Sequence, residues 1–128
     1  MKENKRFSIV ARIKSSTHAW RGLGIVIKTT HNFWGHLFFG LLAMYLGFVL
    51  NISNYEWIAL VFAIFIVLII EVINTAFEID IDLTSPEYHP YARDTKDIAA
   101  GGVLLSVILA IIVGSIIFLH KIYAILFI

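Results

Sequence analysis

Three apolar blocks, Phe33 to Leu50, Trp57 to about Leu83 and Ile98 to Leu119, take up most of the chain. Each approaches or exceeds the ~20 residues that a helix rising about 1.5 Å per residue needs to cross ~30 Å of hydrocarbon. Three transmembrane helices are therefore predicted, over 33–50, 57–83 and 94–119, the last taking in a polar start ahead of its apolar block. Composition agrees, since 59% apolar and 15% charged residues in a chain of 128 is too oily for a soluble domain of that length. The length gives room for one domain, 1–128, and the fold class is all-α. The absence of cysteine excludes a disulfide framework and a thiolate nucleophile.

The links set the orientation. Asn51 to Glu56 is short, polar and free of Lys or Arg, and is expected as a tight turn on the outer side. Thr84 to Tyr91 holds both prolines, Pro86 and Pro90, which end helices by removing a backbone donor and restricting the preceding residue. Seven of the ten basic residues, Lys2, Lys5, Arg6, Arg12, Lys14, Arg21 and Lys28, precede the first block, and Arg93 and Lys96 follow the second link. This bias places the N-terminus and the second link inside, with Lys121 counting against it. No compact apolar core with a cleavage pattern precedes Phe33, so no secretory signal peptide is expected. Between Phe7 and Lys28, Val10, Ile13, Trp20, Leu23 and Ile27 keep helical spacing with Arg12, Lys14, Arg21 and Lys28 on the polar side. An amphipathic helix on the inner leaflet is predicted there, although periodicity alone favours a plain juxtamembrane anchor. The tail 122–128 is too short to span and is expected at the outer interface or as an extension of the third helix.

The second block carries Glu71, Asn74, Glu78 and Asp82 in EVINTAFEIDIDL. At about 100° per residue the last three fall at roughly 300°, 340° and 20° from Glu71, so all four share one stripe, whereas Asp80 falls near 180°. An ionised carboxylate facing hydrocarbon costs about 2.5 to 3.5 kcal/mol even on the lenient scale, so the stripe must face protein, water, metal or ligand. Carboxylates so close repel one another unless a cation is present. Mg²⁺ suits a sparse acidic stripe, because it takes a few carboxylate oxygens and shares its remaining positions with water and phosphates. Lys96, in the Asp94, Lys96, Asp97 cluster at the start of the third helix, could neutralise phosphate charge beside it. The competing structural interpretation is a set of buried ion pairs holding a bundle together. Lys96 with Asp97 fits a solvated helix start equally well, and Ala99-Ala100-Gly101-Gly102 is expected to let helices approach closely.

These residues resemble the small prokaryotic diacylglycerol kinases and the undecaprenol kinases of Gram-positive bacteria. The match rests on ExxNTAxExxxDL from Glu71 to Leu83, SPEYHP from Ser85 to Pro90 and KDxAAGxVLL from Lys96 to Leu105, with weaker agreement in AWRGL from Ala19 and HNFWGHL from His31. Order, spacing and span count all agree from about Ser16 to Leu105. The resemblance implies a homotrimeric enzyme of the bacterial inner membrane, with a cytoplasmic N-terminus, that moves the γ-phosphate of MgATP to a lipid hydroxyl. It implies Glu71 as general base, Asn74 and Glu78 as nucleotide and metal contacts, and Asp82, Lys96 and Asp97 as further nucleotide contacts. No GxxxxGK[ST] loop is present, so any phosphate cradle must come from spans and cations, and positioning with charge neutralisation is most of what phosphoryl transfer needs. Nucleic acid is not an expected partner.

Two departures from the family pattern stand out. Thr30, followed by His31, occupies the position of a usual metal-binding glutamate, and Trp34 replaces an arginine. Two other functions compete with this one. A small proton-coupled transporter would explain intramembrane carboxylates but predicts them near the bilayer midplane. A catalytically impaired relative would explain Thr30. The acceptor, undecaprenol or diacylglycerol, is not readable from apolar lipid-facing surface, although SPEYHP and NTAFE lean to the undecaprenol branch.

Overall fold

The structure, a computed structural model, describes residues 7–128. Lys2, Lys5 and Arg6, which weigh in the predicted orientation, lie outside the described residues. The described chain is all helical, with α1 Ile9–Thr29, α2 His31–Val49, α3 Asn54–Thr84 and α4 Pro90–Phe127. The last three are long and apolar enough to cross a membrane. At 38 residues α4 reaches about 57 Å and at 31 residues α3 about 46 Å, so both outrun the hydrocarbon and carry polar ends beyond it.

Local chemistry sets each boundary. Ser8 caps α1 by accepting from the Ala11 amide. A single extended residue, Thr30 (φ −111°, ψ 104°), separates α1 from α2. Trp34 Nε1 donates to the Ile27 carbonyl at 2.8 Å, satisfying one of the acceptors left open at the end of α1. The indole thus ties α1 to α2. The α2–α3 turn places Asn51 in the left-handed region (φ 51°), which asparagine tolerates better than most residues. Gly47 is required beside this turn, because a Cβ there would come within 2.9 Å of Ile52 Cδ1 and 3.0 Å of Trp57 Cη2. Ser53 and Glu56 then form a reciprocal capping box that opens α3.

Pro90 departs from expectation. Rather than ending a helix it opens α4 at the first position, where its missing N–H would be unpaired in any case, and His89 Nδ1 accepts from the Tyr91 amide as the cap. Pro86 stays in the link. Of the two places considered for the tail, the structure selects the continuation of α4, through Phe127.

The helix α3 is the centre of the molecule, packed most extensively on α4 and also on α2 and α1. Its buried residues, Leu60, Ala63, Val67, Glu71, Asn74 and Thr75, recur at intervals of three and four and form one stripe. Ile52, Leu60 and Ile117 make the small apolar core, with Trp57, Ile64, Val113 and Phe118 against it. Most other large apolar side chains, Phe38, Phe48, Leu105 and Ile116 among them, are exposed in the single chain, as surfaces meant for lipid or another helix must be. The small-residue run approaches α3 at one place only: a Cβ on Gly102 would lie 3.7 Å from Ile70 Cγ2, whereas one on Gly101 would meet nothing within 4 Å. Lys121, the residue opposing the charge bias, lies 3.5 Å from Glu56, which also approaches His120 at 3.6 Å.

Two contacts fix the register of α2 on α3. Thr30, just before α2, meets Thr75, and Gly47 near the end of α2 sits against Trp57. The 19 residues of α2 span about 28 Å, so the stretch of α3 beside them runs from 57 to 75. Glu71 lies one turn from the Thr75 end of that stretch.

Candidate active site

The acidic stripe continues the buried stripe of α3. Glu71 is 1% exposed and Asn74 6%, while Glu78 and Asp82, one and two turns further, are exposed. The same helical face therefore passes from the packed interior to the surface within about three turns.

Neither oxygen of Glu71 has a hydrogen-bond partner, and neither does Asn74 Oδ1; all three atoms are out of reach of solvent. The nearest basic group is on α2, where His36 Nε2 stands 3.5 Å from Glu71 Oε2. That is ion-pair range but longer than a formed hydrogen bond. An unsatisfied buried carboxylate is costly. Asn74 Nδ2 donates to Glu78 Oε1 at 3.2 Å, so the amide fixes the glutamate one turn below and leaves its own Oδ1 free.

A chain of hydroxyls lies on the same face. Thr75 Oγ1 donates to the Glu71 carbonyl oxygen at 2.9 Å. Its one proton is then committed, so Thr30 must be the donor in the 3.0 Å contact between the two hydroxyls. Thr30 thus sits against the stripe, at the height where the family glutamate is expected, as a neutral group with oxygen lone pairs to spare.

At the exposed end, Lys96 of α4 bonds the carboxylate of Asp82 on α3, so the packing of α3 on α4 joins two residues fourteen apart. Asp97 is not part of this pair. It is exposed and lies 3.9 Å from Arg93 on its own helix. Asp80 is exposed and off the stripe, as its helical phase requires.

The Glu78 carboxylate and Asn74 Oδ1 on the stripe, and the Thr30 hydroxyl held against it through Thr75, all offer oxygen, the element Mg²⁺ prefers. Among the described residues no three His, Asp or Glu side chains cluster closely enough to hold a metal alone. The donor set thus fits an ion that takes its remaining ligands from water and phosphate rather than one held in a protein cage.

His36 and Thr75 are the site residues that the sequence alone left without a role. Thr75 lies within the NTA motif but its hydroxyl reads as an ordinary helix residue until its partners are known. His36 carried a usable signal, since an ionisable side chain inside a span is by default a functional candidate.

The model of the family described as prokaryotic diacylglycerol kinase matches residues 17–118. The chain is 35% identical over 108 residues to the undecaprenol kinase of Bacillus subtilis (strain 168), covering 84% of this chain and 88% of that protein. It is 37% identical over 102 residues to a diacylglycerol kinase of Synechocystis sp., covering 79% of this chain but 58% of the relative. Against the diacylglycerol kinase of Escherichia coli (strain K12) it is 28% identical over 100 residues, 78% of this chain and 82% of that protein. With its three membrane-length helices and the matched motifs spread over α1 to α4, the chain belongs to the prokaryotic diacylglycerol kinase family.

Proposed function

We propose that this protein is a membrane lipid kinase that transfers the γ-phosphate of MgATP to the hydroxyl of undecaprenol or diacylglycerol, with Glu71 as the general base. Family membership supports the lipid kinase activity. The observation that carries the site assignment is the Glu71 carboxylate, buried without a hydrogen-bond partner at the head of a stripe that emerges through Asn74 and Glu78 to the Asp82–Lys96 pair.

Each residue has a distinct task. Glu71 accepts the proton of the lipid hydroxyl as that oxygen bonds the γ-phosphorus and the bond to the β-phosphate bridge breaks. Its seclusion from water suits it to a lipid acceptor and disfavours hydrolysis of ATP. Asn74 and Glu78, with the Thr30 hydroxyl nearby, would hold Mg²⁺, which neutralises phosphate charge when bound. Lys96 and Asp82 receive the nucleotide at the exposed end, and Asp97 adds a contact when the nucleotide draws it from Arg93.

The same proposal takes residues 1–128 as one kinase domain with α1 as an amphipathic surface helix, the N-terminus cytoplasmic in a bacterial inner membrane, and three copies forming the enzyme. A proton-coupled carrier fits less well, because Glu71 sits one turn from the Thr30–Thr75 end of the span rather than at its middle. The test is transfer of radiolabelled γ-phosphate from ATP to undecaprenol and to diacylglycerol by the purified protein in mixed micelles. Labelled lipid phosphate is expected with at least one acceptor; absence of label from both would overturn the proposal.

A further inference from the structure

Building on the assignment of Glu71 as base, we propose that His36 is the positioning residue that holds the Glu71 carboxylate by one oxygen and leaves the other for the lipid hydroxyl. His36 Nε2 stands 3.5 Å from Oε2, and Oε1 has no hydrogen-bond partner.

The other groups around Glu71 are already engaged. On α3 itself, Asn74 Nδ2 is given to Glu78, and the Thr75 hydroxyl to the backbone carbonyl of Glu71 rather than to its carboxylate. Glu78 is a like charge. Thr30, from the α1–α2 break, is spent on Thr75. From α4, Lys96 is taken by Asp82. Among the described residues this leaves the His36 imidazole as the one basic side chain within 4 Å of the Glu71 carboxylate.

The fold explains how it reaches. One turn beyond His36, Gly40 lets α2 come so close to α3 that a Cβ there would stand 3.0 Å from Ile64 Cγ2. That approach brings the imidazole onto the buried face of α3. His36 also forms the one polar part of the wall of an apolar groove of about 370 Å³, whose other lining includes Ala43, Ala63, Val67 and Gly114. The imidazole thus lies between the groove and the carboxylate.

Chemically, an Nε2–H aimed at Oε2 acts as a hydrogen-bond donor that orients the Glu71 carboxylate by one oxygen. Glu71 Oε1 is then free to take the hydroxyl proton while the hydroxyl oxygen bonds the γ-phosphorus and ADP departs. Contacts of this kind are often long before substrate is bound and tighten when it arrives.

Three variants of the full-length protein, assayed in mixed micelles with MgATP and lipid, test the assignment. His36→Gln keeps a donor nitrogen close to the position of Nε2; His36→Leu keeps bulk without a donor; His36→Asn keeps an amide that is too short to reach. The expected result is a loss of about a hundredfold in kcat for His36→Leu and His36→Asn, with KM for MgATP unchanged and His36→Gln recovering to within about tenfold of wild type. Retention of full activity by His36→Leu would overturn the proposal. So would equal inactivity of His36→Gln and His36→Leu in folded protein, which would make the imidazole itself the proton acceptor. Should His36→Leu fail to fold, the contrast between the Gln and Asn variants decides, and equal rates for the two overturn the positioning role. Glu71→Gln separates the two levels: full activity in that variant removes the base assignment, whereas an inactive Glu71→Gln beside a fully active His36→Leu removes only the positioning role.

Discussion

From the break between α1 and α2 the Thr30 hydroxyl donates to Thr75 on α3, and the Thr75 hydroxyl donates in turn to the carbonyl oxygen of Glu71. Thr30, at the position where the family resemblance leads one to expect a glutamate, is thus joined to the backbone of the proposed base. Replacing Thr30 by valine removes one half-buried hydrogen bond and should lower stability by about 1 kcal/mol, read by thermal denaturation. Thr30→Glu adds a carboxylate against the acidic face of α3 and should reduce the Mg²⁺ concentration giving half-maximal activity. An unchanged Mg²⁺ requirement would show that this position has no part in holding metal.

Glu78 is fixed by Asn74 through one carboxylate oxygen. Glu78→Gln preserves an acceptor for the amide but removes the charge, so the fold should persist while metal binding weakens by about tenfold or more. Titration with Mn²⁺ followed by electron paramagnetic resonance reads this without turnover. Equal Mn²⁺ affinity in variant and wild type would remove Glu78 from the metal site.

The Lys96–Asp82 pair is solvent-exposed at its acidic end, with Asp82 69% and Lys96 38% exposed. Exposed pairs contribute at most about 1 kcal/mol to stability. Lys96→Met should therefore leave the melting temperature close to wild type and raise KM for MgATP. A large drop in stability with an unchanged KM would make the pair a structural clasp instead.

Much of this arrangement could be read before any coordinates. The three spans follow from length and hydropathy, and the shared face of Glu71, Asn74, Glu78 and Asp82 follows from an angle of about 100° per residue. Helical phase says nothing of depth, however. That Glu71 and Asn74 are buried while Glu78 and Asp82 are exposed is decided by where α2 and α4 cover α3. His36 reaches Glu71 from another helix, a pairing that no periodicity within one segment encodes. The Pro90 boundary was misplaced for a different reason. Proline ends a helix by its missing N–H, but at the first position of the next helix that N–H is unpaired anyway, so the residue starts α4.

At the opposite end of α3, Ser53 accepts from the Glu56 amide and Glu56 returns a bond to the Ser53 amide. Ser53→Ala should cost about 1 kcal/mol by loss of the cap. Lying on the far side of the span from the acidic stripe, it should leave KM for MgATP and the Mg²⁺ requirement untouched. A changed KM would show that the two ends of α3 are coupled.

The most direct measurement is the rate of phosphate transfer from ATP to lipid by Glu71→Gln, an exchange of nearly equal volume that removes the proton acceptor from its buried place. A loss of at least about a hundredfold in kcat, with KM for MgATP and Mn²⁺ binding preserved, is the predicted result. Turnover at the wild-type rate would contradict a general-base role for Glu71.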